Sequence, residues 1–119
     1  MNAAERLDRT FAALAEPNRR AVIELLRRQP MSAGEIANRL GLSAPALSKH
    51  LKTLRASGLV EEARTDFDAR VRVYSLRNGS LKALRRWLED TERLWSMQLS
   101  AFKAYVESAD ANQKEADRS

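Results

Sequence analysis

Cysteine is absent from the 119-residue sequence, and histidine occurs once. Without cysteine the protein has no disulfides, no thiolate metal ligands and no thiol-based redox sensor. No uninterrupted apolar run approaches the roughly 20 residues that a membrane-spanning helix needs. The initial stretch, MNAAERLDRT, mixes acids and bases and is unlike a secretion signal. We therefore expect a cytoplasmic protein that has no membrane contact.

The sequence also has none of the residue groupings that enzymes or cofactor sites require. It offers no glycine-rich phosphate loop and no carboxylate pair in an apolar setting, so we expect neither catalysis nor a cofactor. Basic residues are in excess, with 21 lysines and arginines, 16 acidic residues and a net charge of +5. This balance favours a polyanionic partner, although ribosomal and membrane-surface proteins share it.

The stretch from Met31 to Gly58 carries the strongest local pattern. It predicts a helix from about Ser32 to Leu40, a tight turn at Gly41, and a second helix capped by Ser43. The opposite faces of the second helix differ, because one is polar and basic without any acid and the other is apolar. Two helices in this arrangement are typical of a helix-turn-helix unit that binds DNA. The inward, apolar positions recur at i, i+4 and i+7 and are Leu47, Leu51 and Leu54.

We expect the polar face of the second helix to contact DNA. Lys49 and Lys52 are the best candidates for guanine edges or nearby phosphates, and the helix N-terminus favours a phosphate. The alternative is that these side chains only form the solvated face of an amphipathic helix. His50 lies beside the inward face, where packing is a more frequent role than base contact. The DNA-contacting residues predicted in this helix are Ser43, Ala44, Pro45, Ser48, Lys49, Lys52 and Arg55.

Two helices are predicted before this unit and a hairpin after it. The helices run from about Ala3 to Leu14 and from Pro17 to Arg28. Arg19 and Arg20 open the second helix, where a DNA phosphate and an acid of the same chain are equally expected partners. Residues 59–64 can form an extended strand and residues 70–76 alternate apolar and polar side chains, which predicts two strands joined by the turn-prone stretch 65–69.

This hairpin is the wing of a winged helix-turn-helix fold. Its arginines are expected to approach the DNA backbone or the minor groove. Neighbouring acids oppose that approach, namely Glu61, Glu62, Asp66 and Asp68. The DNA-contacting residues predicted in the wing are Arg64, Arg70 and Arg72.

A long helix is predicted over residues 81–106, within a single domain that spans 1–107. Its apolar stripe is too large for a small domain to cover, which indicates an interface between two copies of the chain. The alternative is that Trp87 and Trp95 line an effector pocket. The polar tail over 108–119 is expected to be disordered. The predicted dimer surface includes the first helix and consists of Leu7, Phe11, Leu14, Leu88, Leu94, Trp95, Leu99 and Phe102.

Three segments together resemble the ArsR/SmtB family of bacterial winged-helix repressors. They are ALAEPNRRAVIELL over 13–26, SAPALSKHLKTLRASGLV over 43–60, and VRVYSL over 71–76. The order and spacing of the three make the combination specific. The resemblance implies a mainly α fold with a small β-hairpin and a dimer formed through the N- and C-terminal helices. It further implies a homodimeric repressor on a palindromic operator, released by a metal ion or another inducer.

The metal sites of that family are not reproduced in this sequence. Aligned on the segment SKHL, the family's thiolate positions fall on Ser32, Gly34 and Ala37, which do not bind soft metals. The family's other site uses histidines and carboxylates of the long C-terminal helix, whereas His50 lies in the helix-turn-helix. Carboxylates alone hold only hard cations, and weakly. We therefore expect no metal site and leave open an inducer of unknown chemistry.

The function predicted from these patterns is sequence-specific regulation of transcription. A homodimeric repressor would bind an inverted-repeat operator in double-stranded DNA. The alternative is a winged-helix module that mediates only protein–protein assembly, since this fold also serves without DNA. The acid-free helix face favours the first hypothesis, and the acids of the wing favour the second.

Overall fold

The computed structural model describes residues 2–64 and 70–118. These residues form a mainly helical fold with a small antiparallel sheet, which confirms the predicted fold class. The turn predicted over 65–69 lies outside the described residues. The elements in chain order are α1 (Ala3–Leu14), α2 (Pro17–Leu26), β1 (Met31–Ser32), α3 (Ala33–Leu40), α4 (Ala44–Ala56), β2 (Val60–Arg64), β3 (Arg72–Leu76) and α5 (Lys82–Arg118).

Local capping signals set the boundaries of α3 and α4. The Ser32 hydroxyl accepts a hydrogen bond from the Glu35 N–H at 3.2 Å and begins α3. Gly41 ends that helix in the left-handed region at φ 65°, which glycine adopts readily because it has no Cβ. The Ser43 hydroxyl then accepts from the Ala46 N–H at 3.2 Å and begins α4. The predicted helix-turn-helix is therefore present.

The sheet has three strands in the order β1-β3-β2. The predicted hairpin is formed by β2 and β3, whose antiparallel register runs from Val60 opposite Leu76 to Arg64 opposite Arg72. The additional strand β1 places Met31 opposite Tyr74. The sequence did not predict β1, because two residues are too short to show the period-two alternation of a strand.

The core lies between the helices α2, α3 and α4 and the sheet. The predicted inward residues Leu47, Leu51 and Leu54 are all buried. Burying an aliphatic side chain of this size contributes about 1.5–3 kcal/mol, so these leucines anchor α4 firmly. The other buried apolar residues are Ala13, Val22, Leu26, Met31, Ile36, Leu59, Val60 and Tyr74.

The face of α1 that packs against the core is not the face that carries its largest apolar residues. Its buried residues are Thr10 and Ala13, and the Thr10 hydroxyl donates to the Arg6 carbonyl at 3.0 Å. Phe11 keeps 40% of its surface exposed, and Leu7 and Leu14 are half-buried. The small residues of α1 therefore meet the core, and part of the Leu7, Phe11 and Leu14 stripe stays accessible.

The chain divides into two compact units, Met1–Leu84 and Arg85–Ser119. Within the described residues, the second unit is the continuation of α5, which runs to Arg118. The predicted helix end at Val106 and the predicted disorder over 108–118 are therefore wrong. The tail is polar, but its alanine, glutamate and lysine residues are good helix formers, and Lys114 pairs with Asp110 one turn earlier at 3.5 Å.

Apolar side chains of α5 are largely exposed within this single chain. Trp95 and Phe102 keep 62% and 65% of their surface accessible. Across the described residues, no helix combines the length and the apolarity required to cross a membrane. The remaining exposed apolar residues of the second unit are Trp87, Leu88, Leu94, Met97, Leu99, Tyr105 and Val106.

Candidate nucleic-acid interface

Helix α4 presents its polar face to solvent because its leucines fix the opposite face in the core. Lys49 and Lys52 are exposed and form no ion pair or hydrogen bond with another side chain among the described residues. No acidic residue occurs in the helix itself. Two uncompensated positive charges thus lie one turn apart on an anchored helix. The exposed positions of this face are Ala44, Pro45, Ser48, Lys49, Lys52 and Arg55.

The first turns of α4 contain two serines, of which Ser43 caps the helix and Ser48 is exposed. The Ser43 hydroxyl caps the helix through the Ala46 N–H. Pro45 lies in the first turn, where its missing N–H leaves no unsatisfied donor. Ser48 is one turn further on and exposed, so its hydroxyl is available to a phosphate or a base edge.

Arg55, at the end of α4, contacts the wing. Its Nη1 atom lies 2.8 Å from the Glu62 Oε2 atom, and the Nε atom of Arg72 lies 3.3 Å from Glu62 Oε1. The Tyr74 hydroxyl donates to Glu62 Oε2 at 3.2 Å. Two arginines predicted to contact DNA therefore share one carboxylate of the same chain. These ion pairs depend on the register of β2 against β3 and on the approach of α4. The sequence alone therefore did not predict them.

The pKa of the Tyr74 phenol is affected by Glu62 and by the two arginines that pair with it. Burial raises the pKa of Tyr74 first, and the charge and hydrogen bond of Glu62 raise this pKa further. The opposing influence of Arg55 and Arg72 lowers the pKa of this phenol but does not outweigh those effects. Tyr74 therefore remains a neutral donor to Glu62 at physiological pH.

The other wing arginines lie near the end of the hairpin. Arg64 is exposed and lies directly opposite Arg72 in the strand register. Like charges in directly opposed positions destabilise a pair of strands, and a polyanion would relieve that repulsion. Arg70 is exposed just before β3. The structure thus brings Arg64 and Arg72 together, with Glu62 paired to one of them.

His50 connects α4 to the start of α2. Its Nδ1 atom lies 3.6 Å from the Glu16 Oε2 atom, and 18% of its side chain is exposed. Burial raises the pKa of Glu16, but hydrogen bonds from the Arg19 and Asn18 N–H groups and the charges of His50 and Arg19 lower it by more, so the net shift is downward. His50 is therefore largely buried against the start of α2.

The side chains of Arg19 and Arg20 donate to backbone carbonyls of α1, which are partners that the sequence did not predict. Arg19 Nε donates to the Ala13 carbonyl at 2.7 Å, and Arg20 Nη1 donates to the Leu14 carbonyl at 2.7 Å. These carbonyls end α1 and have no acceptor role inside the helix. Both arginines therefore cap the C-terminus of α1. The sequence did not predict this capping, because the arginines reach the end of α1 only once α2 has folded back against it.

The positions aligned with the family's thiolates lie at the start of α3. Ser32 uses its hydroxyl as the helix cap, Gly34 has no side chain, and Ala37 is half-buried against the core. Among the described residues, no three histidine, cysteine, aspartate or glutamate side chains group closely enough to hold a metal ion.

Comparison with known proteins agrees with this geometry. Residues 14–63 match the family described as "Helix-turn-helix domain". The chain is 38% identical over 101 residues to the HTH-type transcriptional regulator Rv2034 of Mycobacterium tuberculosis, covering 85% of this chain and 89% of that protein. It is 29% identical over 82 residues to the transcriptional repressor SdpR of Bacillus subtilis, covering 69% and 88% respectively. A solved ArsR-like transcriptional regulator from Rhodococcus sp. RHA1 is similar with a TM-score of 0.73 and 34% identity, over 84% of this chain and 92% of that one.

Proposed function

Because this chain belongs to the ArsR family of winged helix-turn-helix transcriptional regulators, we propose that it represses transcription as a homodimer on an inverted-repeat operator. The chain is a DNA-binding regulator and not an enzyme. Repression by this route needs no chemistry, because a dimer that covers a promoter excludes other proteins. The similarity to a protein named as a repressor supports this direction of regulation.

The observation that carries the proposal is the exposed face of α4. Lys49 and Lys52 stand without partners in the described part of the chain, on a helix whose other face is buried. Such a helix fits the major groove, where lysine binds the O6 and N7 atoms of guanine or a nearby phosphate. Ser48 lies between the helix start and these lysines and adds a hydroxyl donor. Arg64 of the wing would contact an adjacent phosphate.

The dimer supplies the symmetry of the operator. Two copies of α4 related by a twofold axis would enter major grooves about 34 Å apart, so the half-sites would be inverted and spaced by one helical turn. The exposed apolar stripe of α5, with Trp95 and Phe102, offers the surface for such pairing. The accessible part of α1 at Phe11 is the second component of the proposed dimer surface.

Metal sensing through the family's thiolate positions is not part of the proposal. Ser32, Gly34 and Ala37 carry no soft ligand atom, and the Ser32 hydroxyl is already used to cap α3. An inducer of a different kind would have to bind the DNA-incompetent conformation more tightly than the competent one.

The test is binding to DNA from the region upstream of the protein's own coding sequence. Fluorescence anisotropy over a salt series compares this duplex with a random duplex of equal length. The variant Lys49→Ala with Lys52→Ala loses two contacts worth about 1–3 kcal/mol each, so affinity for the upstream duplex falls at least about thirtyfold. The matched control is Lys103→Ala with Lys114→Ala, which removes the same charge from α5.

Each outcome has a distinct meaning. Preference for the upstream duplex, lost in the α4 variant and kept in the α5 control, supports the proposal. Equal affinity for both duplexes, or no binding at ~50 mM salt, contradicts sequence-specific regulation of this region and favours a protein–protein assembly module. Equal losses in both variants show that net charge, and not the α4 face, carries binding.

A further inference from the structure

We infer that Glu62 is a positioning residue that holds Arg55 and Arg72 away from DNA phosphates and so limits binding to unrelated sequences. The inference rests on the proposed function, since it concerns the same interface. It differs from the sequence prediction, in which Arg55 and Arg72 are themselves DNA contacts. The structure shows each of these arginines in an ion pair with Glu62.

The geometry of Glu62 is that of a satisfied carboxylate. Arg55 approaches one oxygen at 2.8 Å from α4, and Arg72 approaches the other at 3.3 Å from β3. The Tyr74 hydroxyl donates to Oε2 at 3.2 Å from the position directly opposite Glu62 in the sheet. One donor comes from the end of α4 and the other two from β3, so the carboxylate of Glu62 links α4 to the wing.

Burial makes this arrangement difficult to break. Only 13% of the Glu62 side chain is exposed, whereas Arg55 and Arg72 are half exposed. If either arginine moved to a phosphate, a largely desolvated carboxylate would lose a counter-charge, which is costly because water cannot replace it. A phosphate contact at the protein surface is screened and offers less in return. The pairing with Glu62 is therefore the favoured state of both arginines.

The consequence concerns which cations remain for DNA. Phosphate contacts are independent of sequence, and each adds about 0.9 to the dependence of log K on log salt. Lys49 and Lys52, on the face that would read bases, have no partner in the described residues, whereas Arg55 and Arg72 are both held by the single carboxylate of Glu62. Glu62 thus removes two sequence-independent contacts while it leaves the base-reading side chains available.

The experiment compares Glu62→Gln with Glu61→Gln. The glutamine at 62 keeps the shape and loses the charge, so both arginines become available to phosphate. We expect the salt dependence of binding to a random duplex to steepen by about 1.8, so that the gain in affinity over wild type shrinks about tenfold between ~50 and ~200 mM salt. The matched control removes the same charge from the neighbouring residue, which is exposed and has no ion pair among the described residues, so the salt dependence stays at the wild-type value.

A second variant separates release of arginine from a general change in structure. Arg72→Gln leaves the salt dependence unchanged in the wild-type background, because Arg72 is paired with Glu62. In the Glu62→Gln background, Arg72→Gln reduces the salt dependence of binding by about 0.9, because it removes a guanidinium that is no longer paired with Glu62. If Glu62→Gln fails to fold, the salt dependence of Arg72→Gln in the wild-type background still tests the inference.

The outcomes separate this inference from the proposed function. The inference is overturned if Glu62→Gln and Glu61→Gln behave alike, or if Arg72→Gln weakens salt dependence in the wild-type background. In either case the upstream preference of the wild-type protein and its loss in the Lys49 and Lys52 variant still stand. Absence of DNA binding by the wild-type protein overturns both.

Discussion

Individual charged residues around α4 differ in whether the protein itself already satisfies them. Lys49 and Lys52 have no partner among the described residues, whereas Arg55 is paired with Glu62. All three are basic residues on one helix face, and their sequence positions do not distinguish them. The difference arises because Arg55 lies at the end of α4, where the wing begins. Pairing within the fold, and not residue type, therefore distinguishes Arg55 from the two lysines.

Glu16 gives a prediction at the scale of one carboxylate. Its pKa lies below the ordinary value of 4.5, so Glu16 stabilises the fold fully above that value and loses its contribution as the pH falls through the lower, folded-state pKa. Glu16→Gln should therefore lower the urea midpoint near pH 7, and its difference from wild type should shrink below about pH 4. Unfolding curves at several pH values measure this.

The control for this prediction is Glu24→Gln. Glu24 is exposed and pairs only with Arg27 on the same helix at 3.0 Å. Exposed pairs of this kind contribute about 0–1 kcal/mol, so the control changes the midpoint little at any pH. A Glu16→Gln difference that stays constant down to about pH 3 would contradict the assigned role of the Glu16 charge.

At the scale of elements, α2 stabilises the end of α1 through its side chains. Arg19 donates from Nε to the Ala13 carbonyl at 2.7 Å and from Nη2 to the Ala12 carbonyl at 3.0 Å. The carbonyl end of a helix carries partial negative charge, so a guanidinium is well suited to this position. The junction between the two helices therefore depends on the side chains of α2 as well as on packing.

Arg19→Met tests this junction. Methionine keeps the apolar stem and removes the donors, so we expect the free energy of unfolding to fall by about 1.5–3 kcal/mol. Arg28→Met is the matched control, because Arg28 is exposed, has no side-chain partner among the described residues, and should change stability by no more than about 0.5 kcal/mol. Equal effects of the two substitutions in urea unfolding would refute the capping role.

At the scale of the whole molecule, the exposed face of α5 is the feature that a single chain leaves unexplained. Large apolar surfaces on soluble proteins usually mark interfaces, and the apolar stripe of α5 includes both tryptophans. We propose that a second copy covers it, as the twofold operator of the proposed function requires. The exposed apolar residues of α5 end at Val106, so the surface for this purpose lies before the polar last turns of the helix.

Trp95→Glu tests the pairing of two chains. A carboxylate placed in an apolar seam would have no partner there, so the variant should elute as a monomer in size-exclusion chromatography with light scattering. Ser96→Glu is the control, because it introduces the same charge at the next residue, on the polar side of α5, and should leave the dimer intact. A wild-type protein that is monomeric, or a Trp95→Glu protein that remains dimeric, would refute this surface.

Features governed by near neighbours were determined by the sequence itself. The cap Ser43, the glycine turn at Gly41 and the buried stripe of α4 depend on interactions within a few residues, and each occurs where the sequence predicts it. The helix-turn-helix, and with it the class of function, follows from these local interactions. Helix propensity also extends α5 through a tail whose polarity alone suggested disorder.

Only the tertiary structure decided which charges are free. Strand β1 exists because β3 offers it a partner, and the arginines of α2 reach the end of α1 because the two helices fold together. Glu62 meets Arg55 and Arg72 only when a helix end and two strands converge. Such contacts depend on strand register and on the approach of distant segments, which local propensity does not encode. The sequence therefore identified the helix that would face DNA, and the folded chain determined which of its cations remain unpaired.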